Sequence, residues 1–210
     1  LSLHDALPIC SPFVIAAGPV FTGNSLADAI ALAKAQPEKE AIATEGPKTF
    51  SGILADSFAA MAGIKYTHVP YNKAPDAIQD LIGGRVNFIC LPEAALLSYI
   101  RSGQIKPLAV SSAQRTANLP NVPTLDEAGI PDLYASSWYG LMGPAGMPPS
   151  IVNKLNAELN EALRSPEVQK RMSDLGAEIG GGTPAEFANF IQSEIARYAD
   201  IVKRSGAKFE

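Results

Sequence analysis

The sequence predicts an α/β fold built from βαβ units around a mostly parallel sheet. Three observations carry this. Short apolar runs end at Gly or Pro, amphipathic stretches of about 8–14 residues separate them, and helix-start signals mark the boundaries between the two.

The elements follow in order. Phe13–Ala17 is an apolar run closed by Gly18-Pro19, hence a strand. Ser25 opens a helix with Asp28 three residues on, a capping box, and Leu26, Ala29, Ile30 and Ala33 form its apolar face. Glu40–Thr44 is the next strand, followed by the loop Glu45-Gly46-Pro47-Lys48. A helix over about Thr49–Ala62 carries Ile53, Leu54, Phe58 and Met61 on one side and stops at Gly63. Lys65–Val69 alternates as a strand and gives way to Pro70-Tyr71-Asn72-Lys73. Pro75 suits the first turn of a helix over Asp76–Ile82, and Gly83-Gly84 turns into the strand Val86–Leu91. Pro92-Glu93 starts a helix to Arg101, and Lys106–Ser111 is a further strand.

From Gln114 to Leu133 turn residues dominate around a short helix at Leu125–Ala128. Tyr134–Met142 reads as a strand with an aromatic pair. Two long amphipathic helices follow, Pro149–Arg164 and Pro184–Arg204, with a short one at Pro166–Asp174 between them. Thr183 and Glu186 form a second capping box. The alternation up to about residue 133 and the helical remainder suggest two structural blocks.

Composition narrows the function. Of 210 residues, 47% are apolar and 18% charged, a globular balance with chain enough for a core. A net charge of −4 gives no general reason to expect nucleic acid as a partner. Two cysteines exclude a disulfide-dense scaffold, and two histidines argue against a His-based metal site. No apolar run reaches the ~20 residues of a membrane span.

Leu1–Ile9, LSLHDALPI, back-translates to a widely used short-read sequencing adapter read in one frame, whose last base begins the Cys10 codon. Residues 1–10 are therefore expected to be foreign to the protein and are set aside, together with any chemistry at His4 and Cys10. On that reading the gene begins upstream, and the absence of a leader here says nothing about location.

Catalytic signatures are missing: there is no GxSxG elbow, P-loop, GxGxxG, CxxC or HExxH. No catalytic group, metal or cofactor is assigned. His68, inside Tyr66-Thr67-His68-Val69, reads as a hydrogen-bonded, partly buried histidine, and Cys90 as a small core residue. Trp138 and Tyr139 are either a stacking pair for a ligand or the two faces of one strand. Position is more informative. A strand, a small polar loop and a helix start recur at Thr44–Ser51, Tyr71–Asp76 and Leu91–Glu93. In parallel α/β sheets such loops lie at the carboxyl ends of strands, where ligands bind, and helix N-termini there favour anions. Thr49 and Ser51 add hydroxyls, as donors to an anion or simply as caps.

Ser11–Glu210 resembles the Bug-type extracytoplasmic solute receptors, the substrate-binding proteins of tripartite tricarboxylate transporters. The resemblance rests on Ala62-Gly63-Ile64 through His68-Val69-Pro70-Tyr71, Gly83-Gly84-Arg85-Val86, and Ser102-Gly103-Gln104-Ile105-Lys106-Pro107-Leu108-Ala109-Val110. Leu119-Pro120-Asn121-Val122-Pro123-Thr124-Leu125-Asp126-Glu127-Ala128-Gly129, Trp138-Tyr139-Gly140-Leu141, Pro144-Ala145-Gly146 and Thr183-Pro184-Ala185-Glu186-Phe187 continue it in order. It implies a periplasmic binding protein type II-like (Venus flytrap) fold in a secreted, periplasmic protein. Ligand-binding domain 2 would be complete over 11–134, and 135–210 would be the C-terminal part of a domain 1 present only in part.

Against the family pattern, Glu45-Gly46-Pro47-Lys48-Thr49 replaces a small Gly/Ser-rich loop, Gly52 replaces a frequent histidine, Lys73-Ala74 replaces Gly-Ser, and Leu91 stands at an often acidic position. Two lysines thus come to the cleft side, suited to carboxylates. The expected ligand-binding residues are Lys48, Thr49, Ser51, Tyr71, Lys73, Ala74, Trp138 and Tyr139, lining one cleft. The expected function is capture of a small carboxylate-bearing solute for membrane transporter subunits, by a monomer when complete. Two rival readings are the effector-sensing domain of a transcription regulator and an α/β hydrolytic enzyme.

Overall fold

A computed structural model describes residues 9–205. Its elements run β1 (Ile9–Ala17), α1 (Leu26–Ala35), β2 (Ala41–Thr44), α2 (Phe50–Ala62), β3 (Thr67–Pro70), α3 (Ala74–Ile82), β4 (Phe88–Pro92), α4 (Glu93–Arg101) and β5 (Lys106–Val110). Then come β6 (Ser136–Tyr139), α5 (Pro149–Arg164), α6 (Pro166–Asp174), β7 (Glu178–Ile179) and α7 (Pro184–Ser205). The described chain divides into two compact units, a larger one over 12–136 with 200–205 and a smaller one over 9–11 with 137–199.

The larger unit is built on a sheet of order β3-β2-β4-β1-β5. β2 pairs in parallel with β3 and with β4, as the alternation of strands and helices implies. β1, however, runs antiparallel to both its neighbours, with Phe13 opposite Pro92 and Val14 opposite Val110. The mostly parallel sheet expected from sequence is thus a mixed one, with its reversed strand near the middle. Hydrophobic patterning reports burial on each face of a strand and carries no sign of its direction. Helices cover both faces, and Phe13–Ala17 are almost wholly buried. The principal core gathers Val14 and Ala16 of β1, Ile89 and Leu91 of β4, Ile78 and Leu81 of α3, and Leu96 and Leu97 of α4. C-terminal residues of α7 also belong here: the Ser57 hydroxyl donates to the Ile201 carbonyl at 3.3 Å, and Arg204 to the Asp132 carbonyl at 2.7 Å.

The smaller unit is helical, with α5, α6 and most of α7. β7, which the sequence pattern does not anticipate, pairs with the start of β1, Ile9 opposite Ile179 and Cys10 opposite Glu178. β1 therefore begins within residues 1–10, the segment expected from the sequence to be foreign. The rest of that segment, 1–8, lies outside the described residues. The buried side chains Phe187 and Ile191 of α7 pack with Trp138 and Phe190.

Two further expectations are corrected. Leu125–Ala128 is a hydrogen-bonded turn and not a helix. Thr124 and Glu127 cap each other there: Thr124 N–H donates to the Glu127 carboxylate at 2.8 Å, and Glu127 N–H donates to the Thr124 hydroxyl at 3.1 Å. Ile130 N–H then closes back on the Leu125 carbonyl at 2.9 Å. The strand expected over Tyr134–Met142 is reduced to Ser136–Tyr139. Gly140 lies so close to the Phe187 ring that an added Cβ would stand 2.4 Å from it.

Candidate functional site at the strand ends

Because β2, β3 and β4 are parallel, the three strand–loop–helix junctions singled out in the sequence emerge at one edge of the larger unit. Thr44 and Pro70 are register partners, and Tyr71 N–H donates to the Thr44 carbonyl at 2.9 Å, tying the second loop to the first. The chain also enters and leaves the unit at this edge: the Ser111 hydroxyl accepts from Phe13 N–H at 2.8 Å and donates to the Ala135 carbonyl.

The loop after β2 folds back on the start of α2. Glu45 N–H donates to the Ser51 hydroxyl at 3.0 Å, and Gly46 N–H to the Thr44 hydroxyl at 3.0 Å. The Gly46 carbonyl accepts from Thr49 N–H at 3.2 Å and from the Thr49 hydroxyl at 2.7 Å. Gly46 has φ +131°, which favours glycine strongly. Gly52 is needed for a different reason: a Cβ there would stand 2.0 Å from the Gly46 carbonyl oxygen, so the loop rests directly on the helix backbone.

This fixes what the hydroxyls do. Thr49 is the N-cap of α2, its side chain accepting from Gly52 N–H at 3.3 Å. Ser51 is fully buried, and its hydroxyl lies 3.0 Å from that of Thr49. Both hydroxyls hydrogen-bond within the loop and the first turn of α2. The start of α3 is different. Lys73 is its N-cap and makes no side-chain cap bond, so the amides beside Lys73 and Ala74 are not claimed by a capping side chain, as they are in α2. Lys48 and Lys73 are both exposed.

Tyr71 is half-buried, and its hydroxyl points away from the loop edge, donating to Asp80 at 2.8 Å. Burial, followed by that hydrogen bond and the Asp80 charge, pushes its pKa up to about 12. Arg85, paired with the same carboxylate, and then Tyr71 hold Asp80 below the usual carboxylate range.

Trp138 and Tyr139 belong to the smaller unit, where they are adjacent on β6. Trp138 sits edge-on to Phe187 and Phe190, with ring centroids 5.9 and 5.6 Å away, whereas Tyr139 is 65% exposed. The sole tryptophan is partly buried and packs against the Phe187–Ile191 cluster of that unit.

The model of the tripartite tricarboxylate transporter family receptor, TctC, matches residues 5–207. The chain belongs to this receptor family. It is 34% identical to protein BugT of Bordetella pertussis over 99% of its own length and 65% of BugT. It is 37% identical to a UPF0065 protein from the clcB-clcD intergenic region of Pseudomonas knackmussii, covering 75% of this chain and 94% of that one. Among solved structures it is similar to R. palustris Rpa4515 with adipate, at a TM-score of 0.87 and 29% identity, covering 97% of this chain and 68% of that one. MatC of Rhodopseudomonas palustris with bound malate superposes at a TM-score of 0.83 and 28% identity, covering 95% of this chain and 69% of that one. The chain thus spans about two thirds of the length of most of these relatives.

In this TctC-family chain one group of residues beneath the β2 loop is not foreseen from the sequence. Thr44, fully buried at the end of β2, is hydrogen-bonded to His68 Nε2. The other ring nitrogen, Nδ1, lies 3.9 Å from Asp56, whose carboxylate accepts the Tyr66 hydroxyl at 2.6 Å. Burial lowers the His68 pKa, with the Asp56 charge opposing it. Tyr66 titrates well above its ordinary range through burial first and Asp56 second. His68 is thus the hydrogen-bonded, partly buried residue expected. Its partners sit on α2 and β2, and only the fold brings them together.

Proposed function

We propose that this chain is the ligand-capturing part of a periplasmic receptor that takes up a small carboxylate-bearing solute and presents it to the membrane subunits of a tripartite transporter. Membership of the receptor family carries the reading, since it calls for binding and not for turnover. Structures at 28% and 29% identity that hold malate and adipate support a carboxylate as the solute. The larger unit adds a suitable edge: three strand-end loops side by side, an α3 start with no side-chain cap, and two exposed lysines, Lys48 and Lys73. Helix N-termini and ammonium groups both favour carboxylates. Within this site Lys73 and Ala74 are the direct contacts, Lys48 supplies charge, and Thr49, Ser51 and Tyr71 shape the loops. The complete receptor is a monomer.

Calorimetric titration with malate, adipate and their neutral diamides tests this reading. The acids bind and the diamides do not. Lys73→Ala and Lys48→Ala each weaken binding by roughly tenfold or more, as expected for loss of a charge-assisted contact. Equal affinity for acids and diamides, or unchanged affinity in both variants, removes the charge argument.

A further inference from the structure

We propose that His68 is a positioning residue for the loop Glu45–Lys48, acting through Thr44 as a hydrogen-bond relay that holds only while the imidazole is neutral. Three ties fix the loop: Glu45 N–H to Ser51, the Gly46 carbonyl to Thr49, and Gly46 N–H to the Thr44 hydroxyl at 3.0 Å. The first two end within the loop and helix. Only the third leads onward, since the same Thr44 oxygen is hydrogen-bonded to His68 Nε2.

A hydroxyl has one proton and two lone pairs. The proposed arrangement gives one lone pair to Gly46 N–H and the Thr44 proton to His68, which leaves Nε2 bare and places the ring hydrogen on Nδ1, facing Asp56. Protonation places the ring's second hydrogen on Nε2. Thr44 must then turn its own proton elsewhere, at a site of zero exposure, and its bond to Gly46 is compromised.

The titratable groups around the ring are Asp56 of α2, 3.9 Å from Nδ1, and Tyr66, whose ring centroid is 5.9 Å away. Cys90 of β4, beyond them, is a buried thiol pushed up by desolvation and so stays neutral. Burial disfavours the imidazolium, so the relay is intact above the ordinary histidine value of 6.5 and is lost as pH falls through the lower folded-state value. The consequence for ligand rests on the receptor reading above, whereas the relay itself does not.

Nitrogen NMR of the full chain tests it. At pH 7.5 His68 should show its ring hydrogen on Nδ1. The Gly46 amide shift should follow the His68 titration, with exchange, corrected for pH, roughly 3- to 10-fold faster once the ring is protonated. Thr44→Val should uncouple Gly46 from the titration. His68→Gln, whose carbonyl accepts the Thr44 proton, should keep Gly46 protected at every pH. A ring hydrogen on Nε2 at pH 7.5, or a Gly46 amide that ignores the titration, overturns the relay, and both are read on the wild-type chain. Malate affinity of wild type relative to His68→Gln, compared at each pH so that ligand ionisation cancels, should drop as His68 protonates. Absence of malate binding at any pH defeats the receptor reading, while the ring tautomer and the Gly46 titration still decide the relay.

Discussion

At Gly52 a single hydrogen stands where any other residue would carry a carbon. The Gly46 carbonyl approaches so closely that a methyl group would sit 2.0 Å from its oxygen, and the opposing atoms are backbone that cannot swing aside. Gly52→Ala should therefore displace the loop Glu45–Lys48 and destabilise the larger unit by about 2 kcal/mol or more. Urea denaturation should show a lower midpoint at unchanged slope. The sequence marks Thr49 as an N-cap, because a hydroxyl before a helical run is a local signal. It does not reveal that Ser51 is fully buried beneath Glu45, nor that Thr44 meets His68. Those pairings depend on how a loop folds back and on which strands become neighbours. Trp138 and Tyr139 are legible only as alternatives, since adjacency on a strand says that they face opposite ways and not which way is inward.

For helices the local chemistry is decisive, and most boundaries are legible. Ser25 and Asp28 form the reciprocal cap expected: the Ser25 hydroxyl accepts from Asp28 N–H at 3.1 Å, and the Asp28 carboxylate accepts from Ser25 N–H at 3.0 Å. Thr183 and Glu186 repeat the arrangement at the start of α7. Ser25→Ala and Thr183→Ala should each cost about 1 kcal/mol, read as a lower denaturation midpoint. Hydrogen bonds from the backbone at Asn24 and Thr183 lead in holding Asp28 and Glu186 below their ordinary values of 3.8 and 4.5. Both caps therefore contribute fully above those values and fade as pH falls through the lower folded-state ones. Strands are legible in position but not in partner or direction. β7 is two residues long and exists only because Ile9 and Cys10 present a backbone to it. The reversal of β1 leaves no trace in its composition.

Across the whole molecule the two units differ in how well they cover their apolar side chains. Among the described residues of the larger unit the exposed large hydrophobic side chains are Val20 and Phe50; in the smaller they include Leu141, Met142, Ile151, Leu155, Leu175 and Ile195. Trp138 Nε1 is buried there with no hydrogen-bond partner among the described residues. We propose that 11–134 forms a complete ligand-binding domain and 135–210 one part of a second domain, whose remainder corresponds to the additional length of the relatives. This chain alone should then self-associate and bind a hydrophobic dye more strongly than the same chain fused behind the corresponding N-terminal segment of BugT. A monodisperse monomer with a sharp cooperative melt and no dye binding would overturn that division.

The reversed β1 also has a consequence for how the chain is made. Phe13 pairs with Pro92, roughly 80 residues later, and Val14 with Val110, later still. A ribosome adding about 5–20 residues per second releases the apolar, buried run Phe13–Ala17 several seconds before either neighbour exists. During that interval β2 and β3 can pair with each other, but the slot for β1 opens only once β4 and β5 have been synthesised. Of the five strands of this sheet, β1 is translated first and waits longest for its two neighbours, and a nascent-chain holdase has its natural target at Phe13–Ala17.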